Sequence, residues 1–328
     1  MIRRREFITL LGGAAASWSL PARAQQSAMP VVGLLSVLPP GSAGHLLDGF
    51  RRGLGETGYV EGQNVAVDYR LAGGRFDRFP ELAADLVRRQ VRVIATAGNA
   101  AAVAAKAATQ TLPIAFMITE DPVKLGLVAS LARPGGNATG LNFFTTEVNA
   151  KRLGLLRELV PAAARVAMLM NPINAPNTSS TLKEVEPAAR ALGLQIQIFH
   201  ASTGLEIDAA FAALVPTRPD ALFVAPDGFF TSRRVQIAAL AARHALPASY
   251  SVRDIVEVGG LMSYGASLTD AYHQLGVFTG RILKGAKPEE LPIVQSTKFE
   301  LVINASTARL LGLEIPPTLL ASADEVIE

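Results

Sequence analysis

The chain has 328 residues, of which 49% are apolar, with no cysteine and a formal charge of +3. The lack of cysteine excludes a disulfide framework and a thiolate metal site, and the length suggests two domains held by apolar cores alone. Residues 1–24 hold four of the 31 basic residues and one of the 28 acidic ones, which leaves 27 of each in the rest. Nothing in that balance predicts nucleic-acid binding, which would need a clustered basic surface.

The chain opens with Arg3-Arg4-Arg5, an apolar run from Phe7 to Ala16, and small residues at Ala22 and Ala24. A basic start, a short apolar run and an Ala-x-Ala cleavage pattern describe an export signal, so residues 1–24 are set apart from the fold as a leader. Arg4-Arg5 followed by Phe7-Ile8 resembles the twin-arginine export signature; an ordinary signal with a basic start is the alternative. The run is about half the ~20 residues that span a bilayer, and no cysteine follows the cut to carry a lipid.

Beyond Met29, β-branched apolar runs alternate with alanine- and leucine-rich stretches, the pattern of a parallel sheet with helical crossovers. Strands are predicted at 31–37, 65–71, 91–97 and 113–118, with helices at 43–56, 79–89, 100–108 and 123–132. RPGGNATG (133–140) reads as a turn. The order then returns: strands at 165–171, 195–201, 221–226 and 247–252, with helices at 179–192, 207–214 and 232–244. Strand starts are spaced by about 34, 26 and 22 residues in the first half and about 30, 26 and 26 in the second. The fold class is therefore α/β, with two doubly wound, Rossmann-like lobes.

In such sheets ligands bind beyond the carboxyl ends of the strands. The loops there hold Ser36, Gly41-Ser42, Gly98-Asn99 and Thr119-Glu120-Asp121 in the first half, and Asn171–Ala175, Asp227–Phe230 and Ser251 in the second. Gly98-Asn99 opens an alanine-rich helix whose free amides and positive dipole end could take a carboxylate; Asn99 could equally be a cap. Asp227 could hold an ammonium, with a ring at Phe229 or Phe230 over an apolar side chain, or could cap the next helix.

Catalytic patterns are missing. His45, His200, His244 and His273 have no metal-ligand spacing, and there is no G-x-S-x-G elbow. GGNATG (135–140) has Asn137 where a dinucleotide fingerprint needs its middle glycine. GRILKGAK (280–287) has Ala286 where a P-loop needs lysine. The chain reads as a binder without metal or cofactor.

GYVEGQNVAVDYR (58–70), DPVKLGLVASLARPGGNATG (121–140), KRLGLLRELVP (151–161), GGLMSYG (259–265), RILKGAKPEELPI (281–293) and FELVINASTARLLGLEIPPTLLASADEVIE (299–328) make the chain specific. In that order they closely resemble the ABC-transporter substrate-binding family that includes tryptophan receptors of Gram-positive bacteria. The resemblance implies a type I periplasmic-binding-protein fold with a three-crossover hinge. It implies lobe one at 30–142 plus 264–292 and lobe two at 143–263 plus 293–328, the chain returning to the first lobe near Tyr264. It also implies a monomer, free in the periplasm, that closes on a small solute and docks on an ABC permease driven by a separate ATPase. Ser36, Gly98 and Asn99 from the first lobe, Asp227 and Phe229 from the second, and Tyr264 at the crossover are the candidate ligand contacts. Phe229, Phe230, Tyr250 and Tyr264 suggest an amino acid or small carboxylate with an apolar or aromatic group. Two other roles stay open: an exported enzyme of unrecognised chemistry, and a ligand sensor for a membrane kinase.

Overall fold

VVGLLS, VIATA and IAFMI are almost wholly buried, as runs of branched and small apolar residues must be when helices cover both faces of a sheet. A computed structural model describes residues 29–41, 44–143, 148–295 and 299–328; the expected leader at 1–24 and Ser42 lie outside these. The first sheet consists of β1 (Val31–Ser36), β2 (Ala66–Leu71), β3 (Val93–Ala97), β4 (Ile114–Ile118), β5 (Ala138–Asn142) and β11 (Val294–Gln295). The second consists of β6 (Arg165–Met170), β7 (Gln195–His200), β8 (Ala221–Val224), β9 (Ala248–Tyr250), β10 (Met262–Ala266), β12 (Phe299–Asn304) and β13 (Glu325–Ile327).

The sheet orders are β11-β5-β4-β3-β1-β2 and β13-β12-β10-β9-β8-β6-β7, parallel throughout except where β10 meets β12. Each sheet therefore contains the same doubly wound core, β2-β1-β3-β4-β5 in the first and β7-β6-β8-β9-β10 in the second. The order reverses between β1 and β3, and again between β6 and β8. At these switch points the crossovers leave in opposite directions and a crevice opens beyond the strand ends.

In the first lobe α1 (Gly44–Glu56) and α10 (Leu268–Leu283) cover one face through Leu46, Phe50, Leu275 and Phe278. α2 (Phe79–Arg88) and α3 (Asn99–Ala108) cover the other. In the second lobe α4 (Val148–Leu159) and α5 (Ala175–Ala191) lie on one face, and α6 (Gly204–Thr217), the short α7 (Gly228–Ser232), α8 (Arg234–Arg243) and α9 (Arg253–Val256) on the other. α11 (Ala305–Leu310) and α12 (Pro317–Ser322) complete the lobe. No helix among the described residues is long and apolar enough to cross a membrane.

Several predicted elements differ. The stretch at 123–132 is a chain of turns, because Asp121 Oδ1 accepts the Val123 amide at 2.9 Å and Gly126 takes φ +70°, which ends any helix. Part of the predicted turn at 133–140 is β5, whose small residues form a strand because they are buried and paired to β4 along Ile114–Ile118. The helix predicted at 232–244 starts at Gly228 and breaks at Arg233, giving α7 and α8.

The chain passes between the sheets three times: between Phe143 and Val148, between Ala266 and Leu268, and between Gln295 and Phe299. Tyr264 lies on β10 and thus stays in the second sheet, while β11 belongs to the first. The second and third crossings therefore come later in the chain than the resemblance implied.

Candidate functional site

Both switch-point crevices open into one cavity of about 150 Å³ between the lobes. In register, Ser36 ends β1 beside Ala97 at the end of β3, so the hydroxyl of Ser36 and the start of α3 share one wall. Gly98 is the N-cap of α3, at φ +107° and ψ 155°, and its own amide donates to the Met117 carbonyl at 2.9 Å. That conformation belongs to glycine, since a Cβ would strain the backbone there. Asn99 is therefore the first helical residue and not the cap. Its Oδ1 accepts the Thr119 amide at 2.9 Å and its Nδ2 donates to Thr119 Oγ1 at 3.0 Å, pinning the loop after β4 to the helix start. The first-turn amides have no acceptor within the helix, and Asn99, Ala100 and Ala101 line the cavity.

The second lobe supplies the opposite polarity. Asp227, just after β8, is 8% exposed and caps α7 by accepting the Phe229 amide at 2.8 Å. Its Oδ1 also accepts Asn171 Nδ2 at 3.1 Å, and its Oδ2 accepts Asn174 Nδ2 at 2.7 Å. Asn171 is itself set by Ser202, whose hydroxyl donates to Asn171 Oδ1 at 2.9 Å. Burial pushes the Asp227 carboxyl above its ordinary range, and the two carboxamides and the Phe229 amide oppose this. A carboxylate offers about four lone-pair directions; Asn171, Asn174 and the Phe229 amide fill three and the Phe230 amide also acts on the carboxylate, so a donor in the cavity would share Oδ2 with Asn174.

Among the described residues lining the cavity, Asp227 alone carries a formal charge. Leu46, Phe76, Phe79, Met117, Phe143 and Leu268 make much of the rest apolar. One hydroxyl pair interrupts that wall: Ser36 Oγ lies 3.0 Å from Tyr272 Oη and accepts the Leu38 amide at 3.3 Å. The lobes touch around the cavity. His45 Nε2 of α1 meets Asp254 Oδ1 of α9 at 2.8 Å, and a Cβ on Gly228 would stand 2.6 Å from Val37 Cγ1.

The structure thus brings Ser36, Gly98, Asn99 and Asp227 into one site. It does not bring Phe229 and Tyr264 there. Phe229 is buried in the second core with its ring 5.7 Å from that of Phe230, and Gly74 of the first lobe rests against it. Tyr264 stacks on Phe299 at 6.2 Å with Lys151 Nζ 4.7 Å above its ring. Tyr250 is likewise core. The aromatic lining comes instead from Phe76, Phe79, Phe143 and Tyr272, which sequence reading missed. Tyr272 carries no local signal, because it reaches the cavity only through the second crossing. Of the histidines, His273 faces Glu56 at 2.8 Å, and the described residues hold no group of side chains suited to a metal.

A family model described as ABC transporter substrate binding protein matches residues 32–327. The chain belongs to this family. A curated relative, the tyrosine-binding protein of Clostridioides difficile (strain R20291), is 26% identical over 266 residues, 81% of this chain and 76% of the relative. Among solved structures, the ABC domain in complex with L-Trp from Streptococcus pneumonia superposes with a TM-score of 0.82 at 27% identity, covering 91% of this chain and 99% of that one. A conserved domain protein from Vibrio cholerae superposes at 0.83 with 26% identity, over the same shares of the two chains. The fold is thus that of type I periplasmic binding proteins, and the family is one of solute-binding proteins rather than enzymes.

Proposed function

We propose that this protein is the periplasmic receptor of an ABC importer and closes its two lobes on an amino acid with an apolar or aromatic side chain. One observation carries the reading: a single buried carboxylate, Asp227, stands across an otherwise uncharged cavity from the open amides of α3. A zwitterion matches that arrangement, its ammonium on Asp227 Oδ2 and its carboxylate at the helix start, where amides and dipole favour an anion. Ser36 adds a hydroxyl beside the carboxylate, and Asn99 acts by holding Thr119 and the helix start together. The apolar wall takes the side chain. The relatives named for tyrosine and in complex with L-Trp support the same class.

Each lobe supplies one end of the solute, so the solute favours the closed form over the open one, as lobe closure requires. The closed form then docks on a membrane permease driven by a separate ATPase. The leader at 1–24 would place the chain in the periplasm. A thermal-shift screen of residues 25–328, unfolded and refolded to strip carried-over solute, tests the reading. A solute at 100 times its Kd stabilises the native state by about 2.7 kcal/mol. A rise with apolar or aromatic amino acids, absent with sugars and dicarboxylates, is expected; a flat response to amino acids overturns the pocket assignment.

A further inference from the structure

Beside the cavity, on the edge where β4 and β5 end, the lobes meet through acidic groups that solute recognition does not use. Glu120, from the loop after β4, faces Ser180 on α5 of the second lobe. One turn along α5, Glu184 accepts Asn149 Nδ2 at 2.8 Å. Glu120 Oε1 and Glu184 Oε1 are both buried and meet no hydrogen-bond partner among the described residues, and the same holds for Asn142 Oδ1 at the end of β5. Two carboxylates that feel each other's charge disfavour joint ionisation unless positive charge matches both.

One buried cation and two exposed lysines face the pair. Glu120 faces Asp121 and Lys124 of its own loop and Ser180 and Lys183 of α5, with both lysines exposed to solvent. Glu184 faces Asn149 and Arg152 of α4 and, across the cleft, Glu120. Arg152, 1% exposed, is that cation: it lies 3.9 Å from the Phe223 ring centre and donates to the Val224 carbonyl at 2.9 Å, its Nε and Nη1 meet no partner among the described residues, and its one charge cannot match two carboxylates.

We propose that lobe closure takes up a proton on the Glu120 and Glu184 pair, so that the closed form gains on acidification and loosens as pH rises. Burial supports this direction, raising the Glu120 carboxyl above its ordinary range and pushing Glu184 up to about 7. An open form restores water to Glu120. A proton bound in the closed form and absent in the open one changes the closure constant by up to about tenfold per pH unit. Two other ionisable groups lie at the cleft: His45, whose Nε2 meets Asp254 Oδ1 at 2.8 Å, and Asp227, whose protonation weakens its hold on an ammonium and acts in the opposite direction.

The proposal rests on the reading that these lobes open and close, and its test needs no solute. Because the chain has no cysteine, two introduced ones, Gln63→Cys and Arg190→Cys, place a dye pair on exposed positions of the two lobes. Energy transfer without solute is expected to shift toward the closed form between pH 8 and pH 5.5. Glu120→Gln, which imitates the protonated acid, is expected to hold the closed-like signal at both pH values, while His45→Gln keeps most of the shift. A wild-type signal that ignores pH, a shift that persists in Glu120→Gln, or one that disappears only in His45→Gln overturns the proposal. A flat amino-acid screen would reject the pocket assignment alone and leave this readout standing.

Discussion

The two lobes share a strand order and a switch point, yet present opposite chemistry at equivalent places. Beyond β1 and β3 the first lobe offers donors from its main chain, the open turn of α3, with one hydroxyl pair and an apolar wall. Beyond β6 and β8 the second lobe offers an acceptor from a side chain, Asp227, held by Asn171 and Asn174. The scaffold decides where a solute can sit, and the residues at the loop starts decide which end of it each lobe holds. Removing the second lobe's charge therefore ought to cost more than any single change in the first.

Asp227→Asn is the largest expected effect. The isosteric amide can still cap α7 through its oxygen but sets an NH2 against Asn174 Nδ2, so the melting temperature without solute should fall modestly while the charge is lost. Truncating one side of a buried charge pair costs about 2–5 kcal/mol, so amino-acid affinity should fall by about 30-fold or more. Titration calorimetry with the amino acid and with its analogue lacking the amine checks this. The analogue should bind wild type and variant alike; an equal loss for both would break the assignment of polarity to the lobes.

Gly228→Ala comes next and probes closure. Its Cβ would lie 2.6 Å from Val37 Cγ1, a contact made only when the lobes meet. Overpacking of this kind costs about 1–3 kcal/mol, here subtracted from the closed state alone. Affinity should fall by about 5- to 100-fold with unchanged stability in the absence of solute, and Val37→Ala in the same chain should restore it.

Gly98→Ala sharpens the first lobe's side of the comparison. There is open space around this position, so strain at φ +107° is the whole effect. A non-glycine residue held there costs about 1–3 kcal/mol. The unliganded protein should melt several degrees lower, and affinity should fall as α3 rotates its open amides away.

These sites differ in how far the sequence reveals them. Ser36, Gly98 and Asp227 are legible because each follows a continuous apolar strand, and strand ends at a switch point are where solutes bind. Phe229 is misleading for a geometric reason. α7 turns Gly228 and Thr231, three apart on one face, to the cavity and sends Phe229 and Phe230 into the core. Tyr264 misleads because the crossing comes two residues later than the motif suggests. Tyr272, Phe76 and Phe79 are illegible because only the return of α10 and the fold of the loop before α2 bring them in. β5 is hidden for a similar reason: ATGLN has little strand preference of its own, and its pairing with β4 makes it a strand.

The smallest expected effect separates the two hydroxyls of the first lobe. Ser36 and Tyr272 have two hydroxyl protons between them and one mutual hydrogen bond, so one proton is left for a carboxylate beside α3. If Ser36 donates it, Ser36→Ala removes both the donor and the partner of Tyr272, whereas Tyr272→Phe leaves Ser36 free to turn toward the solute. A single hydrogen bond is worth about 0.5–1.5 kcal/mol net. Ser36→Ala should then weaken binding by about 3- to 10-fold and Tyr272→Phe by less, with the double variant no worse than Ser36→Ala. The reverse order in calorimetry would make Tyr272 the donor and move the carboxylate toward α10. The first lobe would then hold its end of the solute by a side chain, as the second does, and the contrast between the lobes would narrow to the sign of the charge they hold.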